Sequence, residues 1–508
     1  MNKNPPAAKR GIPPKSDFKE WYPFIVEVAE LVDKRYPIKG MDVWRPYGWK
    51  TMRLIDDITH REMERTDHEE VNFPLLIPEE LLDKENKLVS LLKTAREKGV
   101  DPSELRMDDS AEGFAKEVYW IRHAGDTELE NPMFLRPTSE TAMYTMFPRW
   151  IRSHADLPLK TYQIVNTFRY ETKQTRSFIR VREIHFFEAH TAHVDEADAT
   201  RQIKQDLEIV KNLMSELNLP ALVTKRPVWD TFPGAWYTMA IDVIMPDGRT
   251  LQVASCHHYR DQWARAFDVT YEDESGDQQF VHQTTYGMSE RLLGAIVAIH
   301  GDNQGLVMPP SVAPIQVIVI PIMSKQSSED MVAEAEKLVS KLKESEIRAR
   351  MDARDIRPGQ KYYDWEIKGV PLRIEIGPRD LANKSVMCVR RTGGKVSYPA
   401  NKLIESVKKE LEEIGQKMFE SSTANFSSRI KSLPTFTRNK NELIFDKAIE
   451  PDCVYEIAFD GNDAEAEMIE KSTNLSFLGD SIEPYKKDMR CVISGKTTKR
   501  RLFLSKMY

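Results

Sequence analysis

The sequence predicts an α+β catalytic block, an antiparallel sheet flanked by helices, followed by an α/β domain and a small α+β C-terminal domain. Three observations carry this reading. Segments 159–170, 184–193 and 249–254 alternate as strands among amphipathic helices, the pattern of an antiparallel sheet with helices packed on one face. Met308-Pro-Pro-Ser-Val-Ala-Pro314 sets three prolines where no regular element can continue. Beyond it strands and helices alternate, which predicts a small α/β domain with a largely parallel sheet. The expected units are a flexible basic, proline-rich tail over 1–16 and domains over 17–310, 314–420 and 425–508.

Taken in order, Phe18 to Leu31 has the apolar spacing of an amphipathic helix. Met143 to Leu157 and Ile203 to Leu217 also read as helices, with the 159–170 and 184–193 strands between them. After the prolines, Ile315-Gln-Val-Ile-Val-Ile-Pro-Ile322 is a nearly continuous apolar strand and Ser328 to Glu344 a helix. Strands follow at Arg348–Met351 and Pro371–Ile376, and a polar helix from Asn401 to Ser421 leads into the last unit.

Composition narrows the class. A chain of 508 residues, 41% hydrophobic and 30% charged, is a multidomain globular protein rather than a disordered one. No apolar run approaches the roughly 20 residues a membrane span needs. Four cysteines without paired spacing exclude a secreted disulfide scaffold and point to a reducing, cytoplasmic setting. A net charge of -6 leaves a nucleic-acid partner open, because such a partner responds to a local basic face and not to the total.

Three separated arginine-bearing segments hold the chemistry: Phe134-Leu-Arg-Pro-Thr-Ser-Glu140, Phe168-Arg-Tyr-Glu171 running on to Arg180, and Thr285-Tyr-Gly-Met-Ser-Glu-Arg291. Adenylate formation needs fixed cations around a triphosphate and acceptors around an amino group. Arginine suits the first task because its planar fork stays charged and grips oxygens in pairs. Through these segments the chain resembles the prolyl-tRNA synthetases, class II aminoacyl-tRNA synthetases of the archaeal and eukaryotic type, from about residue 17 to Tyr508.

The resemblance implies ATP with Mg²⁺, L-proline and tRNA(Pro) as substrates. It places Arg169 on the α-phosphate and the incoming carboxylate, and Arg180 and Arg291 on the β- and γ-phosphates. Glu171 and Gln252 fall near adenine and ribose, with Ser255 and Ser289 alongside. Thr138 and Glu140 match the pair that accepts from the secondary ammonium of proline, while Phe186, Phe232 and His257 match the walls around its ring. Ser255, Cys256, Phe186, Ile184 and the Tyr259–Trp263 stretch depart from the usual family residues. Two other readings share parts of this pattern: a sister class II synthetase for another small amino acid, and a non-catalytic tRNA-binding paralogue. Arg-Pro-Thr-Ser-Glu140 and the third unit favour proline; Arg169, Glu171 and Arg291 together favour catalysis.

Val71-Asn-Phe-Pro-Leu-Leu-Ile-Pro78 resembles the first class II motif and implies a two-fold homodimer. Residues 314–420 resemble an anticodon-binding domain, with Arg379, Arg390 and Arg391 on its cationic face for RNA; Lys384 and Lys395 add to that face. In relatives the third unit often carries a four-cysteine zinc site. Here only Cys453 and Cys491 remain, too few ligands for tetrahedral zinc, so no zinc is expected. The relatives' C-terminal tyrosine packs back on the catalytic domain, which implies the same for Tyr508. Between Asp195 and Gln283 there is no room for an inserted editing domain. The purified protein is therefore expected not to hydrolyse alanyl-tRNA for proline; release of alanine in a deacylation assay would contradict this.

Overall fold

The computed structural model describes residues 11–98, 117–322, 328–439 and 442–508. Residues 1–10 of the expected tail lie outside these. The tail's remainder is not loose. Ile12 is buried, and the Lys15 ammonium donates to the carbonyls of Ile299 (3.0 Å) and Gly301. Those carbonyls close the helix Arg291–His300, where a cation offsets the negative helix end. Burial pulls the Lys15 amine down to about 8.

An eleven-stranded sheet organises most of the chain. Its order is Ile430–Ser432, Val454–Ala458, Arg501–Ser505, Ser476–Ser481, Leu222–Lys225, Tyr237–Ile244, Thr250–Arg260, His282–Ser289, Glu183–His193, Leu159–Phe168 and Glu69–Glu70. The ladders are antiparallel except at the two ends, where Ile430 runs parallel to Val454 and Glu69 to Thr161. Because side chains alternate along a strand, one parity of the central strands is apolar. Phe187, Ala189, Ala254, Cys256, Tyr286 and Met288 join a core with Tyr22, Ile55, Leu213 and Ile296 from the helices Phe18–Val28, Pro46–Glu64, Glu196–Glu216 and Arg291–His300. The opposite parity, with Phe186, Glu188, His190, Ser255, His257, Thr285 and Gly287, is left for the site.

The helix expected over 143–157 runs instead from Glu140 to Trp150. It yields to a 3-10 turn, His154–Asp156, where Ser153 and Asp156 cap each other's backbone and compete with further helix. The small domain has the strand order Ala349–Met351, Val317–Pro321, Leu372–Ile376, Ser385–Arg390, Lys395–Pro399. Only its first two ladders are parallel; the last two are antiparallel, which corrects the largely parallel expectation. For the last ladder the cause is local: Gly393 and Gly394, at φ 102° and 96°, turn the chain straight back in a hairpin without a crossover helix.

The third unit extends the large sheet, since Asp480 and Ser481 pair with Lys225 and Thr224. Gly479 is required there: at φ 115° a Cβ would stand 2.0 Å from the Lys225 carbonyl oxygen. The Tyr508 hydroxyl donates to Asp247 (2.8 Å) and its N–H to Thr250 (3.1 Å), so the terminus packs on the large block. No helix among the described residues is long and apolar enough to cross a membrane.

Two of the arginines expected on an RNA face are structural instead. Arg391 is buried and donates to both Asp302 oxygens (2.9 and 2.6 Å) and the Glu366 carbonyl (3.0 Å), riveting the small domain to the large one. Arg390 is gripped by Glu410. A buried or ion-paired guanidinium has little left to offer a phosphate. Arg379, Lys384 and Lys395 are exposed. Arg391→Ala is expected to lower unfolding free energy by about 2–4 kcal/mol, given the value of charge-assisted hydrogen bonds. Arg379→Ala should leave it within about 0.5 kcal/mol; denaturant titration of both variants checks the contrast.

Candidate active site

The polar parity of the sheet lines a cavity of about 360 Å³, within the range of small-molecule sites. Register builds its floor in rows. Thr238, His257, Thr285 and His190 are cross-strand neighbours in sequence, and so are Ser255, Gly287, Glu188 and Gln163. Ser289 lies opposite Phe186. Gly287 has no side chain for a reason: a Cβ there would come within 3.1 Å of the Phe186 ring.

Every residue expected at the ATP and amino-acid sites lines this one cavity, from Thr138 and Glu140 at one extreme of the chain order to Ser289 and Arg291 at the other. Arg169 reaches it from the end of the Leu159–Phe168 strand, its Nε donating to the Pro137 carbonyl (3.1 Å). The Arg169 guanidinium lies 5.9 Å from the centre of the Phe186 ring. Arg291 opens its helix and is held by the carbonyls of Ile179 (3.0 Å) and Gln252 (3.1 Å). Arg180 stands 3.7 Å from Glu171. Burial, and then the nearby positive charge of Arg169, pull the Arg291 guanidinium down to about 10; Arg180 adds to the same repulsion. Burial likewise depresses Arg169. Three cations therefore share one hollow with incomplete compensation.

At the other end, the Tyr259 hydroxyl donates to Glu140 Oε1 (2.9 Å) and the Thr138 hydroxyl to Oε2. His257 is bracketed by Thr238 (2.9 Å) and Ser255 (3.1 Å) and lies 4.5 Å from the Phe232 ring. Burial drops the His257 imidazole to about 3, so it is a neutral wall of the site. Gln252 is oriented by Arg226, which donates to its Oε1 at 3.0 Å.

Two findings were not visible in the motifs. Arg136 does not enter the cavity. Its guanidinium donates to the carbonyls of Phe73 (2.7 Å) and Asn166 (2.9 Å), so the first arginine segment contributes Thr138 and Glu140 but no cation. Beneath them lies Glu188, fully buried. It accepts from the Ser139 N–H (3.0 Å) and hydroxyl, the Gln163 amide (2.9 Å) and His190 (3.1 Å). Burial alone would raise the Glu188 carboxyl, but these bonds outweigh it and hold the group well below its usual range. A signal existed: Phe186, Glu188 and His190 alternate on one face of a single strand.

Residues 119–300 match the family described as the tRNA synthetase class II core domain (G, H, P, S and T), and residues 316–410 match the anticodon binding domain. Among curated proteins, the chain is 51% identical over 426 residues to a proline--tRNA ligase of Thermococcus kodakarensis, 84% of each chain. It is 45% identical to the proline--tRNA ligase of Pyrococcus abyssi over 95% of this chain and 96% of that one. Among solved structures, the Giardia lamblia prolyl-tRNA synthetase in complex with prolyl-adenylate superposes with a TM-score of 0.87 at 32% identity, covering 97% of this chain and 99% of that one.

Glu188→Ala would strand several buried donors at once. It is expected to cost about 3–5 kcal/mol of stability, the range for breaking a buried charge pair; an unchanged denaturation midpoint would show the network to be dispensable.

Proposed function

Since the chain belongs to the proline--tRNA ligase family, we propose that its cavity activates L-proline with ATP and passes the prolyl group to tRNA(Pro). The observation that carries this is the convergence of Arg169, Arg180 and Arg291 on one hollow that also presents Glu140 and Thr138.

Mg²⁺ carried by ATP would screen the charge of the pyrophosphate. Arg180 and Arg291 take the β- and γ-phosphates, while Glu171, Gln252, Ser255 and Ser289 position adenosine. Proline binds with its two N–H groups on Glu140 and Thr138, its ring between Phe186, Phe232 and the neutral His257. Arg169 holds the carboxylate against the α-phosphate. A carboxylate oxygen attacks the α-phosphorus, the bond to the β-phosphate oxygen breaks, and pyrophosphate leaves. A hydroxyl of the tRNA's terminal ribose then attacks the activated carbonyl, and AMP departs. Little covalent work falls to the protein. Positioning and charge neutralisation supply the rate, and the desolvated arginines favour developing negative charge without reorganising.

The small domain reads the anticodon loop, with Arg379 as its exposed cation and Lys384 and Lys395 nearby. The assembly is a two-fold homodimer, supported by the partly exposed Leu75 and Leu76 in the 71–78 segment. The setting is cytoplasmic, supported by four cysteines that are all free and buried. Zinc is not part of this reading, because Cys453 and Cys491 supply only two thiols in this unit, too few for a tetrahedral structural site.

Arg169→Ala and Arg291→Ala are each expected to slow proline-dependent pyrophosphate exchange by about 10²–10³-fold with the fold intact; wild-type exchange in both would refute the assignment. Arg379→Ala should leave exchange unchanged and raise the KM for tRNA in aminoacylation, with a shallower salt dependence.

A further inference from the structure

A second cavity, of about 340 Å³, adjoins the first and shares Phe178, Val181 and Glu290 with it. Its chemistry is different. Trp44, Trp49 and His185 stand edge-to-face around it, with centroid separations of 5.6, 5.1 and 6.5 Å and interplanar angles of 69°, 81° and 67°. Trp49 keeps 40% of its surface exposed, so the ring cluster is open to a ligand. Asp42, Glu183 and Glu290 also line the cavity, and no lysine or arginine does among the described residues.

Two of these carboxylates have partners. Asp42 accepts from the Ser177 hydroxyl and feels the nearby Lys34 ammonium, and Glu183 accepts from the Asn166 amide (2.7 Å). Glu290 differs: it is 2% exposed, its Oε2 has no hydrogen-bond partner, and burial pushes its carboxyl up to about 8, a shift that a cation beside it would reverse. A buried acceptor left without a donor is costly and asks for a ligand. Electron-rich ring faces and carboxylates together select a cation. The carboxylates do not converge as metal ligands do. Among the described residues the side chains close enough to share one ion are Glu140, Glu188 and His190, and Glu450, Asp452 and Cys453, none of which lines this cavity. Separated acids beside a ring cluster fit an extended cation with more than one charge.

We propose that this cavity binds an aliphatic polyamine, one alkylammonium group seated among Trp44, Trp49 and His185 beside the Glu183 carboxylate, and another donating to Glu290. The site stands independently of the catalytic reading. Its consequence rests on that reading: through the shared Phe178 and Glu290, occupancy alters the affinity for ATP, and ATP reciprocally alters that for the polyamine.

The test is calorimetric titration of spermidine into the full-length protein without RNA, at fixed ionic strength. Saturable binding is expected, weakened about ten-fold or more in Trp49→Leu and also in Glu183→Gln, which guards against misfolding of the indole variant. Heats no larger than those of matched sodium chloride, or equal affinity in both variants and the wild type, would overturn the site. The companion measurement is the KM for ATP in pyrophosphate exchange, which spermidine should shift in the wild type and not in Trp49→Leu. An exchange-inactive wild type would sink the catalytic reading while the calorimetry still decides the polyamine site.

Discussion

Holding three guanidinium groups around one hollow is unfavourable until an anion arrives, and the rest of the molecule is arranged to bear that cost. Arg169 and Arg291 are pinned by backbone carbonyls of Pro137, Ile179 and Gln252, groups that accept hydrogen bonds without cancelling the charge. A carboxylate in each place would have relieved the repulsion and spent the field. What remains is a preorganised positive potential suited to an anion.

Such pinning requires a rigid floor, and the sheet provides it through register. The two cross-strand rows that include His257 and Glu188 each place residues from four strands side by side, although their members span 95 and 124 positions of the chain. A one-residue slip in any of these strands would turn its polar parity into the helical core. The apolar parity packed against Tyr22, Ile55 and Ile296 therefore protects the chemistry as well as the stability. Glu188 does for the amino-acid end what the carbonyls do for the arginines: it fixes Ser139, and with it the approach of Glu140.

The joints between units follow the same logic of committed charge. Arg391 with Asp302, and the Gly479 crossing beside Lys225, bind the small domain and the C-terminal strands to the large block. The small domain is thus held in a fixed relation to the cavity, as is needed when an RNA is bound at one place and acylated on its terminal ribose at another.

Local sequence determined a good deal by itself. Alternation and helical spacing gave the central strands and several helices, because those periods express the faces that must be buried. Family spacing located Arg169, Glu171, Arg180 and Arg291, because fixed cations tolerate few alternatives. Tertiary structure alone decided which charges are free. Arg136, Arg390 and Arg391 look in the chain like any other basic residue, and their capture by Phe73, Glu410 and Asp302 depends on partners distant in sequence or on another element. The same holds for residues 11–16, whose polar and proline-rich run reads as tail yet whose Ile12 is buried and whose Lys15 meets a helix end nearly 300 positions away. Burial is a property of the whole packed chain, and no local window of residues contains it.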